Sequence, residues 1–362
     1  MLGLLGALTL LTFFPSHLLT TNVKIHVFVV VGLAPLMLGA MGHFIPVLTR
    51  TPPSKHDKRS SLLMLLAGSI AVTGFWLWFP LVYPAALIGI TAAGDLLWNA
   101  YTRIRKCLGS PHPCVYWYTS ALTVLIIALG SILVGATLPQ HWSVFKAVHL
   151  HLNLLGFIPL TALGTLQVLL PTAGGFTEPT AAARLKSDLP WAIAGIVLIA
   201  LGVTLWRPVG FGGMVIGIVL IARFLRALFP YRHTIFRWHG ATISLLFATF
   251  GLVIVYGLAG WHLSVAQSGY TVLLTMLCLF LLPLLTGALT QLVPVWLDSS
   301  FSEEQRAPLR KHLGYGAALR VAGFWVGGVS YALGEVAGLW LAAATLLLFI
   351  LQMVTAIAAR RR

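Results

Sequence analysis

PLMLGAMGHFIP, residues 35–46, is a phrase that the chain repeats twice, as PLTALGTLQVLLP at 159–171 and PLLTGALTQLVP at 283–294. The leading prolines of the three phrases stand 124 residues apart along the sequence. Repetition at one fixed period over a whole chain is the signature of an internally repeated fold. The sequence therefore predicts three repeats, at about residues 1–110, 111–234 and 235–362.

The composition indicates that the repeated unit lies in a membrane. Of the 362 residues, 59% are hydrophobic and 9% charged, and the mean hydropathy is +0.93. Apolar runs of roughly 18–28 residues, each long enough to cross a bilayer as a helix, follow one another along the chain. We count twelve, four per repeat, with centres near residues 9, 36, 71, 93, 126, 158, 197, 219, 248, 282, 323 and 347. The first run, 2–15, is short and is interpreted as a retained helix rather than a signal peptide.

The basic residues test that count independently. Nineteen of the 23 lysines and arginines follow the even-numbered runs, three follow the odd-numbered runs (Lys24, Lys146 and Arg207), and Arg320 lies inside the eleventh. Cytoplasmic loops carry the excess of positive charge, so both termini are predicted to face the cytoplasm. The net charge of +15 is therefore interpreted as a topology signal.

These patterns predict an all-α membrane protein with twelve transmembrane helices in three pseudo-threefold repeats of four. Residues 1–362 are expected to form a single integral membrane domain in a bacterial inner membrane, with the lipid bilayer as partner. No stripe of interleaved basic and aromatic residues indicates nucleic acid binding.

Apart from the histidines at helix ends and in loops, three lie inside predicted helices, where an imidazole is costly and marks a ligand or relay. His26 lies nine residues before the leading proline of its repeat, and His149 and His151 lie ten and eight before theirs. At ~1.5 Å rise per residue, His26 is level with the midpoint of the other two. Two imidazoles at one depth on facing helices can ligate a haem b iron. Residues two apart diverge by roughly 200°, so only one of His149 and His151 can face His26.

The segments around these histidines resemble those of a known family. HLHLNLLGFIPLTALGTLQVLLP, 149–171, is similar to the H-x-H-bearing tenth helix of haem-copper oxidase subunit I. KIHVFVVVGLAPLMLGAMGHFIP, 24–46, resembles that family's second helix, with a haem-ligating histidine. The family's twelve helices in a pseudo-threefold array match the predicted architecture. The resemblance implies His26 as a haem ligand and His149 and His151 as the H-x-H pair. The NnrS family of small haem- and copper-associated membrane proteins, linked to nitric oxide, resembles the chain more closely in size.

The chain also departs from the oxidase pattern. Its H-x-H lies on the sixth run rather than the tenth, and the seventh run, about 188–205, contains no histidine. The copper-binding histidine pair of the oxidases is thus missing, together with their H-P-E-V-Y phrase. What the resemblance implies is a framework for one haem or two, without a complete oxygen-reducing haem-copper centre.

A second histidine set lies at the predicted outer turns. His17 and His141 are 124 residues apart, and His262 is close to the third equivalent position. These side chains are candidate copper ligands. The alternative interpretation is that they are solvated turn histidines beside interfacial tryptophans.

The function predicted from the sequence is electron transfer, or response to nitric oxide or oxygen, by an inner-membrane haem b protein. Its partner would be a periplasmic or membrane electron donor. Two alternatives remain. Repeats with interrupted helices are typical of transporters, and a chain with little soluble mass can be an assembly or anchor subunit of a respiratory complex.

Overall fold

The computed structural model describes residues 19–53, 58–264, 269–297 and 302–359. All regular secondary structure in these residues is helical. We number the helices α1 to α12 in chain order: Thr21–Leu48, Arg59–Trp76, Phe79–Arg105, Cys114–Thr137, Pro139–Gly174, Ala181–Thr204, Arg207–Ile235, Ala241–Ser264, Gly269–Leu297, Glu303–Gly314, Ala317–Ala332 and Ala337–Ala359.

Ten of these helices are long and apolar enough to cross a membrane, which confirms a multi-span membrane protein. The eleventh predicted run corresponds to α11, whose 16 residues span about 24 Å at ~1.5 Å per residue. The first predicted run, 2–15, lies outside the described residues. The count of twelve therefore stays a prediction.

Helix α10, Glu303–Gly314, is an element that the sequence analysis did not anticipate. Its first turn is fixed by a capping box, in which Ser302 and Gln305 satisfy each other's backbone N–H groups. Leu309 and Leu313 are buried on one face, while acidic Glu303 begins the helix and basic Lys311 lies in its last turn. Its charge places α10 among polar surroundings rather than across a bilayer.

A π-helical segment interrupts α1, α5 and α9 at the same point relative to the repeated phrase. The segments are Val27–Leu33, Leu152–Phe157 and Leu277–Leu281, and each ends two residues before the leading proline. A proline lacks an N–H group and its ring clashes with the carbonyl four residues earlier. The extra residue of a π turn accommodates that clash, and such turns recur at functional sites.

Two compact units divide the described helices. Unit 1 comprises residues up to Gly164 together with Ala182–Ile216, and unit 2 comprises Thr165–Ala181 together with the residues from Gly217 onward. In unit 1, α1 packs against α2, α3 and α4, and α4 also packs against α5. Helix α4 is thus the common neighbour of the two helices that carry His26 and His149.

In unit 2, α8 packs against α9 and α11, α10 against α9 and α12, and α11 against α12. A glycine brings α8 against the π segment of α9: a Cβ at Gly251 would collide with the carbonyl of Leu279. A glycine also stands at a close helix crossing in unit 1, where a Cβ at Gly68 of α2 would lie 2.6 Å from the carbonyl oxygen of Val30 in α1. Small residues at such crossings let membrane helices approach closely.

Candidate functional site

The three candidate haem ligands all lie in unit 1, just before the π segments. His26 is the last residue before the segment of α1, and His151 is the last before that of α5, with His149 half a turn earlier. All three side chains are half-buried. Each of the two helices has its π segment end two residues before a proline, and the three histidines belong to one compact unit.

The Nδ1 atom of each imidazole is bound to a backbone carbonyl. It lies 2.7 Å from the oxygen of Asn22 in His26, 2.9 Å from that of Ala128 in His149, and 2.8 Å from that of Ala147 in His151. Because a carbonyl oxygen only accepts, Nδ1 must carry the proton in each ring. The lone pair then lies on Nε2, as in a metal-ligating histidine oriented by its other nitrogen.

His26 and His149 interact electrostatically, and both belong to unit 1. The His149 ring is anchored across the helix interface, because Ala128 belongs to α4. His151, by contrast, donates to a carbonyl of its own helix. The contact with α4 distinguishes His149 from His151, between which the spacing left the partner of His26 open.

Two further side chains orient this pair, and the sequence analysis missed both. The Phe75 ring of α2 lies 4.3 Å from that of His26. Asn153 donates from Nδ2 to the backbone oxygen of His149 at 2.7 Å and lies 3.5 Å from its Nδ1. The spacing of four residues on one helix face would have indicated Asn153, whereas Phe75 is brought in by tertiary packing alone.

An aromatic chain leads from His26 to the start of α5. Phe79 lies 5.8 Å from Phe75 and 5.9 Å from Trp142, measured between ring centroids, with both pairs edge-on. Trp76 and Trp78 beside them are 66% and 62% exposed. Exposed tryptophans are enriched where a membrane protein meets the lipid headgroups.

The equivalent level in the third repeat has no imidazole. Leu273, Leu274 and Thr275 lie ten, nine and eight residues before Pro283, and all three are buried. The hydroxyl of Thr275 has no hydrogen-bond partner. Unit 2 therefore repeats the backbone of the histidine helices without their ligand chemistry.

The candidate copper ligands are spread over the chain. His17 lies outside the described residues, His141 is exposed at the start of α5 in unit 1, and His262 lies near the end of α8 in unit 2. Within residues 19–53, 58–264, 269–297 and 302–359, no three His, Cys, Asp or Glu side chains converge as a metal site. A pair of haem ligands needs only two imidazoles. The absence of a three-residue cluster therefore concerns the candidate copper site and not the candidate haem ligands.

A scan against models of known protein families finds no match, and a search of characterised proteins finds none either. The class that the fold defines is an all-helical, multi-span membrane protein.

Proposed function

We propose that this chain binds haem b in the membrane, with His26 and His149 as axial ligands. The observation that carries the proposal is geometric: the imidazoles of His26 in α1 and His149 in α5 belong to one compact unit, and each has Nδ1 on a backbone carbonyl, which leaves the lone pair on Nε2. His151, with the same anchoring on its own helix, is the candidate for a second ligand or gas site.

The residues present suit such a group. A haem-ligating histidine binds iron through Nε2 while Nδ1 donates a hydrogen bond. Both His26 and His149 have Nδ1 on a carbonyl and the lone pair on Nε2. The carbonyl of Ala128 and the ring of Phe75 fix how the two imidazoles are turned. A bound haem b supplies one-electron transfer, or binding of nitric oxide or oxygen where one axial position opens.

The proposed setting is a bacterial inner membrane, with twelve helices in three repeats and both termini in the cytoplasm. The recurrence of π segments before Pro35, Pro159 and Pro283 supports the repeat. With that orientation His26 and His149 lie near the periplasmic face, where a periplasmic or membrane electron donor can reach them. The missing oxidase ligands argue against an oxygen-reducing haem-copper centre.

A transporter is the second candidate function. The π-interrupted helices α1, α5 and α9 favour it, because broken helices line the substrate sites of many transporters. Against it, transporter repeats are commonly two and inverted, whereas the sequence predicts three repeats of four helices, which would keep one orientation. An anchor subunit is the remaining alternative.

An absorbance spectrum of the purified protein, recorded oxidised and then reduced with dithionite, separates these functions. We expect the sharp reduced bands of a low-spin b-type haem, because two imidazoles give six-coordinate iron. If the folded protein showed only the absorbance of its aromatic residues, haem binding would be excluded and the transporter and anchor functions would remain.

The copper proposal makes a separate prediction. The wild-type protein should take up a copper ion that the triple variant His17→Ala/His141→Ala/His262→Ala does not, since imidazole is a good copper ligand. Copper titration followed by metal analysis measures the stoichiometry. Equal uptake by the two proteins would remove this site.

A further inference from the structure

Unit 2 contains a groove at the end of α7 that the proposed haem site does not use. It has a volume of about 530 Å³ and lies between the last turns of α7 and the first turns of α8. Most of its lining is apolar, including Phe229, Phe236, Leu246 and Phe250, and its two charged residues are Arg226 and Arg232. No acidic side chain lines it.

The charges are concentrated at the groove's mouth. Both arginines are exposed. The guanidinium of Arg232 lies 4.8 Å from the centroid of the Phe229 ring and donates from Nη1 to the Phe229 carbonyl at 3.4 Å. These contacts hold the cation beside an apolar wall, where an anion gains more than in open water.

The apolar wall runs from this mouth towards the membrane interior. Leu246 and Phe250 are five and nine residues beyond the start of α8 at Ala241. At ~1.5 Å per residue, Phe250 therefore lies about 14 Å along α8 from its first residue. Phe229 and Phe236, both more than half exposed, stand at the same end as the arginines. The groove therefore has a basic end that can contact a charged head group and an apolar wall that can contact an acyl chain.

We propose that this groove binds an anionic phospholipid, with its phosphate at Arg226 and Arg232 and an acyl chain along Leu246 and Phe250. Basic pockets between membrane helices on the cytoplasmic side bind such head groups, and the predicted orientation puts the end of α7 on that side. A zwitterionic lipid would fill the trench equally well but would bring a compensating cation to the two arginines. The site thus selects for net negative charge.

Native mass spectrometry of the full-length protein in detergent tests this proposal. The probes are phosphatidylglycerol and phosphatidylcholine with identical acyl chains. We expect phosphatidylglycerol to bind the wild type about thirtyfold more tightly than the Arg226→Gln/Arg232→Gln variant, from two cation–headgroup contacts. Phosphatidylcholine should bind both proteins alike. The Arg226→Lys/Arg232→Lys variant should keep most of the preference, which shows that the double substitution acts through charge.

The matched control removes two cations elsewhere. Arg105→Gln/Lys106→Gln changes the net charge equally at the exposed end of α3, outside the groove. We expect it to bind phosphatidylglycerol as the wild type does. Equal losses in the two double variants would mean that overall charge attracts the lipid and would overturn the proposal. Displacement of the lipid by excess inorganic phosphate would also overturn it, since the site would then hold a small anion.

Discussion

His26→Ala and His149→Ala are each expected to abolish the low-spin haem spectrum of the protein. Removal of either imidazole leaves the iron with one protein ligand, so the spectrum becomes high-spin or the haem is lost. His151→Ala should keep the low-spin bands, because the proposed partner of His26 is His149, whose ring is held by the Ala128 carbonyl of α4. Spectra of the three purified variants, with haem content per chain, measure the effect.

The matched control for these substitutions is His233→Ala, an exposed histidine in unit 2. It removes an imidazole without touching the proposed site and should leave haem content unchanged. If His26→Ala and His149→Ala both kept the wild-type spectrum, the axial assignment would be wrong. If His151→Ala lost the low-spin spectrum and His149→Ala kept it, His151 rather than His149 would be the α5 ligand.

The second large effect is expected at the crossing of α8 with the π segment of α9. A methyl group at Gly251 collides with the Leu279 carbonyl, which cannot yield without moving the helix. We expect Gly251→Ala to cost about 1–3 kcal/mol of stability, as overpacking in a tight core does. Thermal unfolding in detergent, followed by size-exclusion chromatography, measures the loss.

Gly257 supplies the control on the same helix. A Cβ there meets nothing within 4 Å. Gly257→Ala should therefore be neutral, or stabilising by up to about 1 kcal/mol through helix propensity. Similar melting temperatures for Gly251→Ala and Gly257→Ala would show that the close approach to the π segment does not hold these helices together.

The long apolar helices could be predicted from the sequence because bilayer thickness fixes their length. The π segments were not anticipated, although their cause is visible in the leading prolines: each proline disrupts the hydrogen bond to the preceding turn. Helix α10 was also missed, because its 12 residues include several charged side chains and do not form an apolar run. Its capping box, Ser302 and Gln305 three residues apart, is a recognisable sequence pattern for the start of a helix.

The sequence could predict candidate ligands for the site but not the residues that surround them. Spacing from the repeat prolines identified His26, His149 and His151, because helical rise converts sequence distance into depth. The partner of His26 could not be chosen that way, since rotation about the helix axis was unknown. The choice of His149 comes from the Ala128 carbonyl on α4 and from packing within unit 1, which are long-range contacts.

Pyridine haemochrome analysis with metal quantification, on full-length protein from haem-replete cells, tests the central claim most directly. We predict stoichiometric haem b in the wild type and its loss from the His26→Ala/His149→Ala/His151→Ala variant, because this variant removes both proposed ligands and the candidate second ligand. A folded wild-type protein without haem would contradict the claim. So would a triple variant that retains the full haem content.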